Sequence, residues 1–305
     1  MTAPATFDPP PDRRDGATGP LGVENVAMVH HDREQAVATF ERLGFTLTPR
    51  GRYLLGGEGG LELGLDNHHA LFPRGGYWEV ITIGDDTKFD VGYGALLERR
   101  GSHLAKVTVR FDDATTEAAR LRALGVDVQD AVRMRRSLEV ADRTIDVDMD
   151  LLAYPAAWDA WLHSSLRHDD RGTNYVPELL THPNGAQAID GVVVSTPSMG
   201  ETLDRLRAFT GGSPTSAAHG ATFVLPDGSR CEVWDHAAAA RTFPVAWDDG
   251  AECLRALIVA VEAVDQTASF LDAAGVNATI TDPTTIDPGD SDSTSGDTSA
   301  ARIHV

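Results

Sequence analysis

A short apolar strand, an acidic or polar turn, a helix that ends on glycine, and then further short strands recur along this chain, and this repeat limits the fold more than any other feature. Each copy can cover only one face of its strands, so copies must pack on one another. The first copy opens with "VENVAMV" (23–29), turns at Asp32, and places Ala36, Val37, Phe40 and Leu43 on one helical face before the stop at Gly44. The segments "RYLLGG", "LELGL", "HHALF" and "YWEVITI" compete for the remaining strand places, with Gly75 and Gly76 as the turn before the last. A second copy runs from "LAKVTVRF" through the helix "DATTEAARLRALG", with Ala119, Leu121 and Leu124 as its apolar face, to "VRMRRSLEV" and "TIDVDMDLL".

The third copy is "IDGVVVST", the helix "MGETLDRLRAFTG" and the hairpin "ATFVLPDGSRCEVWD", whose Asp227-Gly228 pair favours a tight turn. The fourth begins at "LRALIVAV" and "DQTASFLDAAG" but then enters the polar, low-complexity stretch 281–300, which leaves little room for final strands. The expected class is α+β, with four tandem βαβββ modules of which the last is degenerate. The expected division is a disordered leader (1–20), a first domain of modules one and two (21–152), a structured linker (153–188) and a second domain of modules three and four (189–305).

Charge narrows the function classes. The formal net charge is −20, and Lys88 and Lys106 are the sole lysines, so the surface repels phosphate backbones and anionic lipid. Nucleic acid and membranes are therefore not expected partners. An acidic, lysine-poor surface also suits solubility in concentrated salt, an expectation that a refolding curve against KCl concentration checks. Cys231 and Cys253 fit no zinc spacing and no disulfide framework. The N-terminus lacks an apolar signal region, which points to a cytoplasmic protein.

The segments "FERLGFTLTPRGR" (40–52), "LDNHHALF" (65–72), "GYWEVITIG" (76–84) and "VPELLTHPNGAQAIDGVVV" (176–194) resemble glyoxalase-like members of the vicinal oxygen chelate (VOC) superfamily, the fold group of glyoxalase, bleomycin-resistance and dioxygenase proteins. The resemblance implies paired βαβββ modules curving around a cavity, with a substrate chelated to a divalent metal in the metal-using members. It also implies ligands on the first and last strands of the modules. The first-strand positions are Asn25, Ala105 or Lys106, Gly191 and Ala256, none a histidine or carboxylate; the last-strand positions are Glu79, Asp146 or Asp148, and Glu232. A catalytic divalent ion needs about three converging protein ligands, and a set drawn from Asn25, Glu79, His103 and Asp148 is the one combination available. His30 and His31, conspicuous in "MVHHD", lie past the strand's end at the turn, where the family places no ligand.

The candidate catalytic residues are Glu79, whose burial would raise its pKa and suit it to acid or base work, and an inward His68. Asn25, Asn67, Trp78, His182 and Asn184 are the candidate substrate-binding residues. Trp158, Trp161, Tyr175 and Phe72 could line an apolar pocket, or serve as packing. No glycine-rich phosphate loop and no Ser-His-Asp set stands out. The expected protein is a glyoxalase-like one with a cavity for a small carbonyl- or enol-type molecule, metal-independent or with a degenerate metal site and needing no cofactor; a divalent-metal-dependent lyase or dioxygenase, and a non-catalytic binding or sequestering protein, are the alternatives. A small-molecule ligand is the expected partner, and a homodimer stays open.

Overall fold

The structure is a computed structural model, and it describes residues 5–8, 19–154, 161–245, 247–276 and 300–303. Its first half is β1 (Gly22–Val29), α1 (Arg33–Arg42), β2 (Gly51–Leu55), β3 (Leu61–Leu71), β4 (Tyr77–Ile83), α2 (Tyr93–Arg100), β5 (His103–Arg110), α3 (Ala114–Ala123), β6 (Val132–Val140), β7 (Arg143–Ala153) and β8 (Leu162–His168). These eight strands close into a barrel in the order β1-β4-β3-β2-β6-β7-β8-β5. Closure removes the exposed sheet edges that an open sheet would leave.

The acidic turn residues act as helix caps. Asp32 accepts a hydrogen bond from the Gln35 N–H (3.0 Å) at the start of α1, and Asp113 accepts one from Thr116 N–H (2.7 Å) at the start of α3. At the other end of α1, Gly44 adopts φ +82°, a conformation that favours glycine. Helix α1 buries Ala36 and Phe40 as the apolar spacing predicts. In α3 the buried face is Glu117, Ala118 and Leu121 rather than the expected Ala119, Leu121 and Leu124; Ala119 is exposed and Leu124 is 45% exposed. Residues 119, 121 and 124 do not fall on one stripe at 3.6 residues per turn, whereas 117, 118 and 121 do.

The second half comprises β9 (Ala186–Thr196), α5 (Met199–Thr210), β10 (Thr215–Ala217), β11 (Gly220–Val224), β12 (Arg230–Asp235), α6 (His236–Thr242), β13 (Cys253–Val261), α7 (Val264–Ala273) and β14 (Ala300–Ile303); the short α4 (Arg171–Asn174) lies between the halves. Its six strands form an open sheet, β10-β11-β12-β9-β13-β14. The unit after β13 is thus short among the described residues, with α7 and the antiparallel β14, while most of 281–300 lies outside them.

Two boundaries differ from the sequence reading. Leu162–His168, inside the stretch read as a linker, is the eighth barrel strand, because β8 pairs in parallel with β5 and antiparallel with β7. The described part of the leader, residues 5–8, is packed: the Phe7 ring stacks on Tyr175 at 3.9 Å and Asp8 N–H donates to the Pro73 carbonyl at 2.8 Å.

Alternation along the barrel strands sorts two cores. Side chains such as Phe40, Trp78, Leu121, Val192, Phe209 and Leu254 form one apolar cluster that joins the barrel's outer face, α1, α3 and α5 to the second sheet. Val29, Leu65, Ile81, Met134, Val147, Met149 and Leu166 form another, which fills the barrel with Tyr93 and Leu97 of α2 packed among them. Asn25, Asn67, His69, Glu79 and Arg136 are the buried polar side chains on inner positions beside it.

Candidate functional site

Glu79 lies in the polar part of the barrel and is 4% exposed. Neighbouring strands bring its partners: β1 pairs Ala27 with Glu79 in parallel, and β3 sets His69 directly opposite it. Asn25 Nδ2 donates to Glu79 Oε2 at 2.6 Å, Tyr53 OH donates to Oε1 at 2.8 Å, and His69 Nε2 stands 3.4 Å from Oε1. On β6, Arg136 reaches inward between Met134 and Leu138; its Nε donates to Asn67 Oδ1 (2.6 Å) and its Nη2 to Thr48 Oγ1 (2.8 Å).

Burial pushes the Glu79 carboxyl up, as expected from sequence, but hydrogen bonds from His69, Tyr53 and Asn25 outweigh it and hold the group below the usual carboxylate range. The expected raised pKa is corrected accordingly. Burial, reinforced by the nearby Arg136 charge, brings His69 down to about 3 against the pull of Glu79, so its ring is neutral near pH 7. Burial and the Glu79 charge push the Tyr53 and Tyr77 hydroxyls well above the ordinary range, which keeps them protonated donors.

A second charged cluster sits where β1 bulges. The register shift between Val23 and Asn25 lets consecutive residues, Glu24 and Asn25, both enter buried polar surroundings. Glu24 is fully buried and accepts from Arg110 Nη1 (3.1 Å), Arg171 Nη2 (2.9 Å) and Tyr175 OH (3.0 Å), with His168 Nε2 at 3.5 Å. Burial opposes its charge, yet Arg171, His168 and Arg110 hold its pKa well below normal. This cluster borders a cleft of about 440 Å³ lined by Phe7, Leu21, Arg110, His168, Arg171 and neighbours. The Tyr77 ring links the two clusters, stacked on His69 at 4.3 Å and 6.5 Å from His168.

The sequence-derived candidates separate on this frame. Asn25, Asn67 and Glu79 belong to the polar interior. His68 does not face Glu79: period-two alternation sends it to the other side of β3, where Nδ1 donates to the Thr48 carbonyl (2.8 Å), and His69 occupies the inward position. Trp78 likewise points away from Glu79 and packs against Phe40 at 4.2 Å. His182 uses both ring nitrogens on backbone, accepting from Thr46 N–H (3.0 Å) and donating to Leu71 O (2.8 Å), so it has no hydrogen-bonding atom left for a ligand. Asn184 donates to Leu43 O (2.8 Å) and accepts from Ala186 N–H (3.0 Å), tying the start of β9 to the end of α1. Trp161 is buried and donates to Glu252 at 2.6 Å, Phe72 is in the large core, and Trp158 lies outside the described residues.

The donor set does not fit a divalent ion. Glu79 has both oxygens engaged by Asn25 and Tyr53, and the Arg136 guanidinium, whose pKa burial lowers from its ordinary value, shares the interior. Asp148 is on the other face of β7, paired with Arg135 at 2.8 Å, and His103 packs on Trp247 with Nδ1 donating to Gly101 O. Among the described residues no group of three or more His, Cys, Asp or Glu side chains could hold a metal ion. In the second sheet Glu232, the counterpart of Glu79, accepts from Trp234 Nε1 at 3.0 Å. There, Ser195 Oγ lies 3.0 Å from His236 Nδ1, and His236 Nε2 lies 3.3 Å from Asp248, a relay that the sequence did not reveal. Ser195 is fully buried, so the relay ties β9 to α6 and presents no accessible nucleophile.

Sequence reasoning passed over Tyr53, Arg136 and Glu24, and of the adjacent pair His68 and His69, one of which had to point inward, it chose His68. Alternation could have found Arg136, since Met134, Leu138 and Val140 set the inward phase of "VRMRRSLEV". Glu24 was visible as a carboxylate in "VENVAMV", but its role depends on a bulge.

The glyoxalase-like domain family matches residues 26–210, more than half of the chain. Three solved structures share the fold. A hypothetical protein from Staphylococcus aureus has a TM-score of 0.55 at 11% identity, covering 70% of this chain and 86% of its own. A mutant 4-hydroxymandelate synthase from Streptomyces coelicolor has 0.56 at 13% identity, covering 87% and 78%. A xylose isomerase-like TIM barrel/4-hydroxyphenylpyruvate dioxygenase fusion protein has 0.51 at 13% identity, covering 92% of this chain and 41% of its own. At such identities these likenesses carry the fold alone. No curated protein matches in sequence, and among the described residues no helix is long and apolar enough to cross a membrane. The chain belongs to the glyoxalase-like domain family.

Proposed function

We propose that the barrel interior around Glu79 receives a small organic molecule with a carbonyl or enol group, and that Glu79 accepts the proton released next to that carbonyl without a divalent metal. The carrying observation is the Glu79 carboxylate, 4% exposed and kept ionised by Asn25, Tyr53 and His69. On this reading a C–H bond beside the carbonyl breaks, its proton moves to a Glu79 oxygen, and its electron pair delocalises onto the carbonyl oxygen as an enolate. Tyr53 and Asn25 hold Glu79 in place, and neutral His69 fixes its Oε1 side.

The reaction class is then an isomerase- or lyase-type proton transfer. Incubating the protein with pyruvate in D2O tests it by NMR: wild type incorporates deuterium at the methyl carbon, and Glu79→Gln slows incorporation by roughly 100-fold or more. Equal rates in the two proteins would remove Glu79 from the chemistry. A second reading, ligand binding without turnover, is favoured by the full hydrogen bonding of both Glu79 oxygens, which makes the carboxylate a weak base. It predicts saturable binding with no deuterium uptake. A metal-dependent lyase or dioxygenase finds no ligand set among the described residues.

A further inference from the structure

Arg136 is 1% exposed, and it differs from the other buried arginines. Arg110 meets Glu24 at 3.1 Å and Arg255 meets Asp248 at 2.8 Å, whereas among the described residues Arg136 has only the neutral acceptors Asn67 Oδ1 and Thr48 Oγ1. Its Nη1 has no hydrogen-bond partner among the described residues, and the same holds for Nδ2 of the adjoining Asn67, which is fully buried. Glu79 is turned to other partners, with one oxygen on Asn25 and the other on Tyr53. A guanidinium removed from water without a contacting anion is costly, and buried N–H donors without acceptors add to that cost.

The backbone is shaped around this cation. A Cβ on Gly51 would stand 2.6 Å from Arg136 Nε and 2.6 Å from Asn67 Oδ1, so the guanidinium and the amide lie in space that a glycine leaves open. Arginine with a spare N–H beside an amide donor is a pairing suited to a planar, negatively charged oxygen group.

We propose that Arg136 and Asn67 form an anion-binding site within the barrel, which takes a carboxylate or enolate oxygen of the ligand and supplies, from the protein itself, the positive charge that a divalent ion would otherwise bring. This rests on the barrel being the ligand site, and it narrows the ligand class to small organic anions such as 2-oxo acids. The charged oxygen binds at Arg136 Nη1 and Asn67 Nδ2, and the remainder of the ligand extends toward Glu79.

Calorimetric titration of the full chain with oxalate, and with its uncharged isostere oxamide, tests the proposal in low-chloride buffer. Wild type is expected to bind oxalate saturably at one site and oxamide at least about tenfold more weakly, the scale of one charge-assisted hydrogen bond. Arg136→Met is expected to weaken oxalate by a similar factor or more, and Glu79→Gln to leave it unchanged or tighter, since a nearby negative charge is removed. Near-UV circular dichroism checks folding; if Arg136→Met does not fold, Gly51→Ala, which displaces the guanidinium, and Arg136→Lys, which keeps the charge but loses the planar fork, carry the same comparison. No oxalate binding to wild type, equal binding of oxamide, or unchanged binding in folded Arg136→Met or Gly51→Ala would overturn the proposal, leaving the spare donors to internal water only. The two readings fail separately: Arg136-dependent oxalate binding with full deuterium uptake in Glu79→Gln would remove the role of Glu79 and keep the anion site, and the reverse pattern would do the opposite.

Discussion

His69 stands directly across from Glu79 in the antiparallel pairing of β3 and β4, with its Nε2 3.4 Å from the carboxylate. One position earlier on the strand, His68 faces the other way, so the two adjacent histidines belong to different environments. The interior polarity of the barrel is built from such inward positions on five neighbouring strands, Asn25, Glu79, His69, Tyr53 and Arg136.

Removing one donor from Glu79 should show in both stability and acid sensitivity. Tyr53→Phe deletes a 2.8 Å hydrogen bond to an ionised, buried carboxylate and is expected to cost about 1.5–3 kcal/mol. Urea unfolding at pH 7 measures the loss, and the difference from wild type should shrink as Glu79 becomes protonated. A variant as stable as wild type would show that the hydroxyl contributes nothing to holding the charge.

Glu24→Gln should be more damaging than its conservative shape suggests. It removes the carboxylate that Arg171 reaches at 2.9 Å and Arg110 at 3.1 Å, while Asp227 stays 3.6 Å from Arg110. A loss of about 3 kcal/mol in urea unfolding is expected. Retention of wild-type stability would mean that the arginines reach water in the folded protein.

Stability should decline on mild acidification before the carboxylates titrate. His69 and His182 are held down to about 3 and about 4, both chiefly by burial, whereas an unfolded histidine titrates near 6.5. The unfolded chain therefore binds more protons in that window, and stability present above about pH 6.5 is lost as pH falls, by up to about 1.4 kcal/mol per pH unit for each ring. Glu24 and Glu79, with depressed folded pKa values, add a further loss once pH falls below their unfolded values. Denaturant midpoints from pH 7.5 to 4.5 give the slope, and His69→Gln should flatten it; identical slopes would place His69 in contact with solvent.

Packing gives a control that leaves the polar site intact. Phe40 is fully buried beneath Trp78 and Phe45, on the opposite face of β4 from Glu79. Phe40→Ala is expected to cost about 3–5 kcal/mol by leaving a cavity, read in the same unfolding experiment. A loss well under 1 kcal/mol would mean that the α1 interface collapses to fill the space.

The repeat was legible because its signals are local: Asp caps, glycine stops and 3.6-residue spacing mark the helices, and short apolar runs mark the strands. Glu79, Asn25 and Asn67 were legible as polar residues in such runs. Their arrangement was not, because face assignment depends on pairing register: one residue separates His68 from His69 and Arg135 from Arg136. The bulge at Glu24 shifts the phase of β1 itself, and no pattern in "VENV" announces it. Strand β8 was hidden because "LHSSLRH" alternates weakly, with buried Ser164 and Ser165 where apolar residues would have marked a strand.

On the proposed function the protein's own side chains, Glu79 foremost, act on an organic ligand without a divalent ion. The most direct measurement is the rate of deuterium incorporation into pyruvate by wild-type protein dialysed against EDTA, before and after adding Fe²⁺, Mn²⁺, Zn²⁺ or Ni²⁺, with Glu79→Gln as the control. Stripped wild type is expected to keep its rate, added metal to leave it unchanged, and Glu79→Gln to be slower by roughly 100-fold or more. A stripped protein that is inactive and recovers with one equivalent of metal, or a Glu79→Gln variant that matches wild type, would contradict the proposed function.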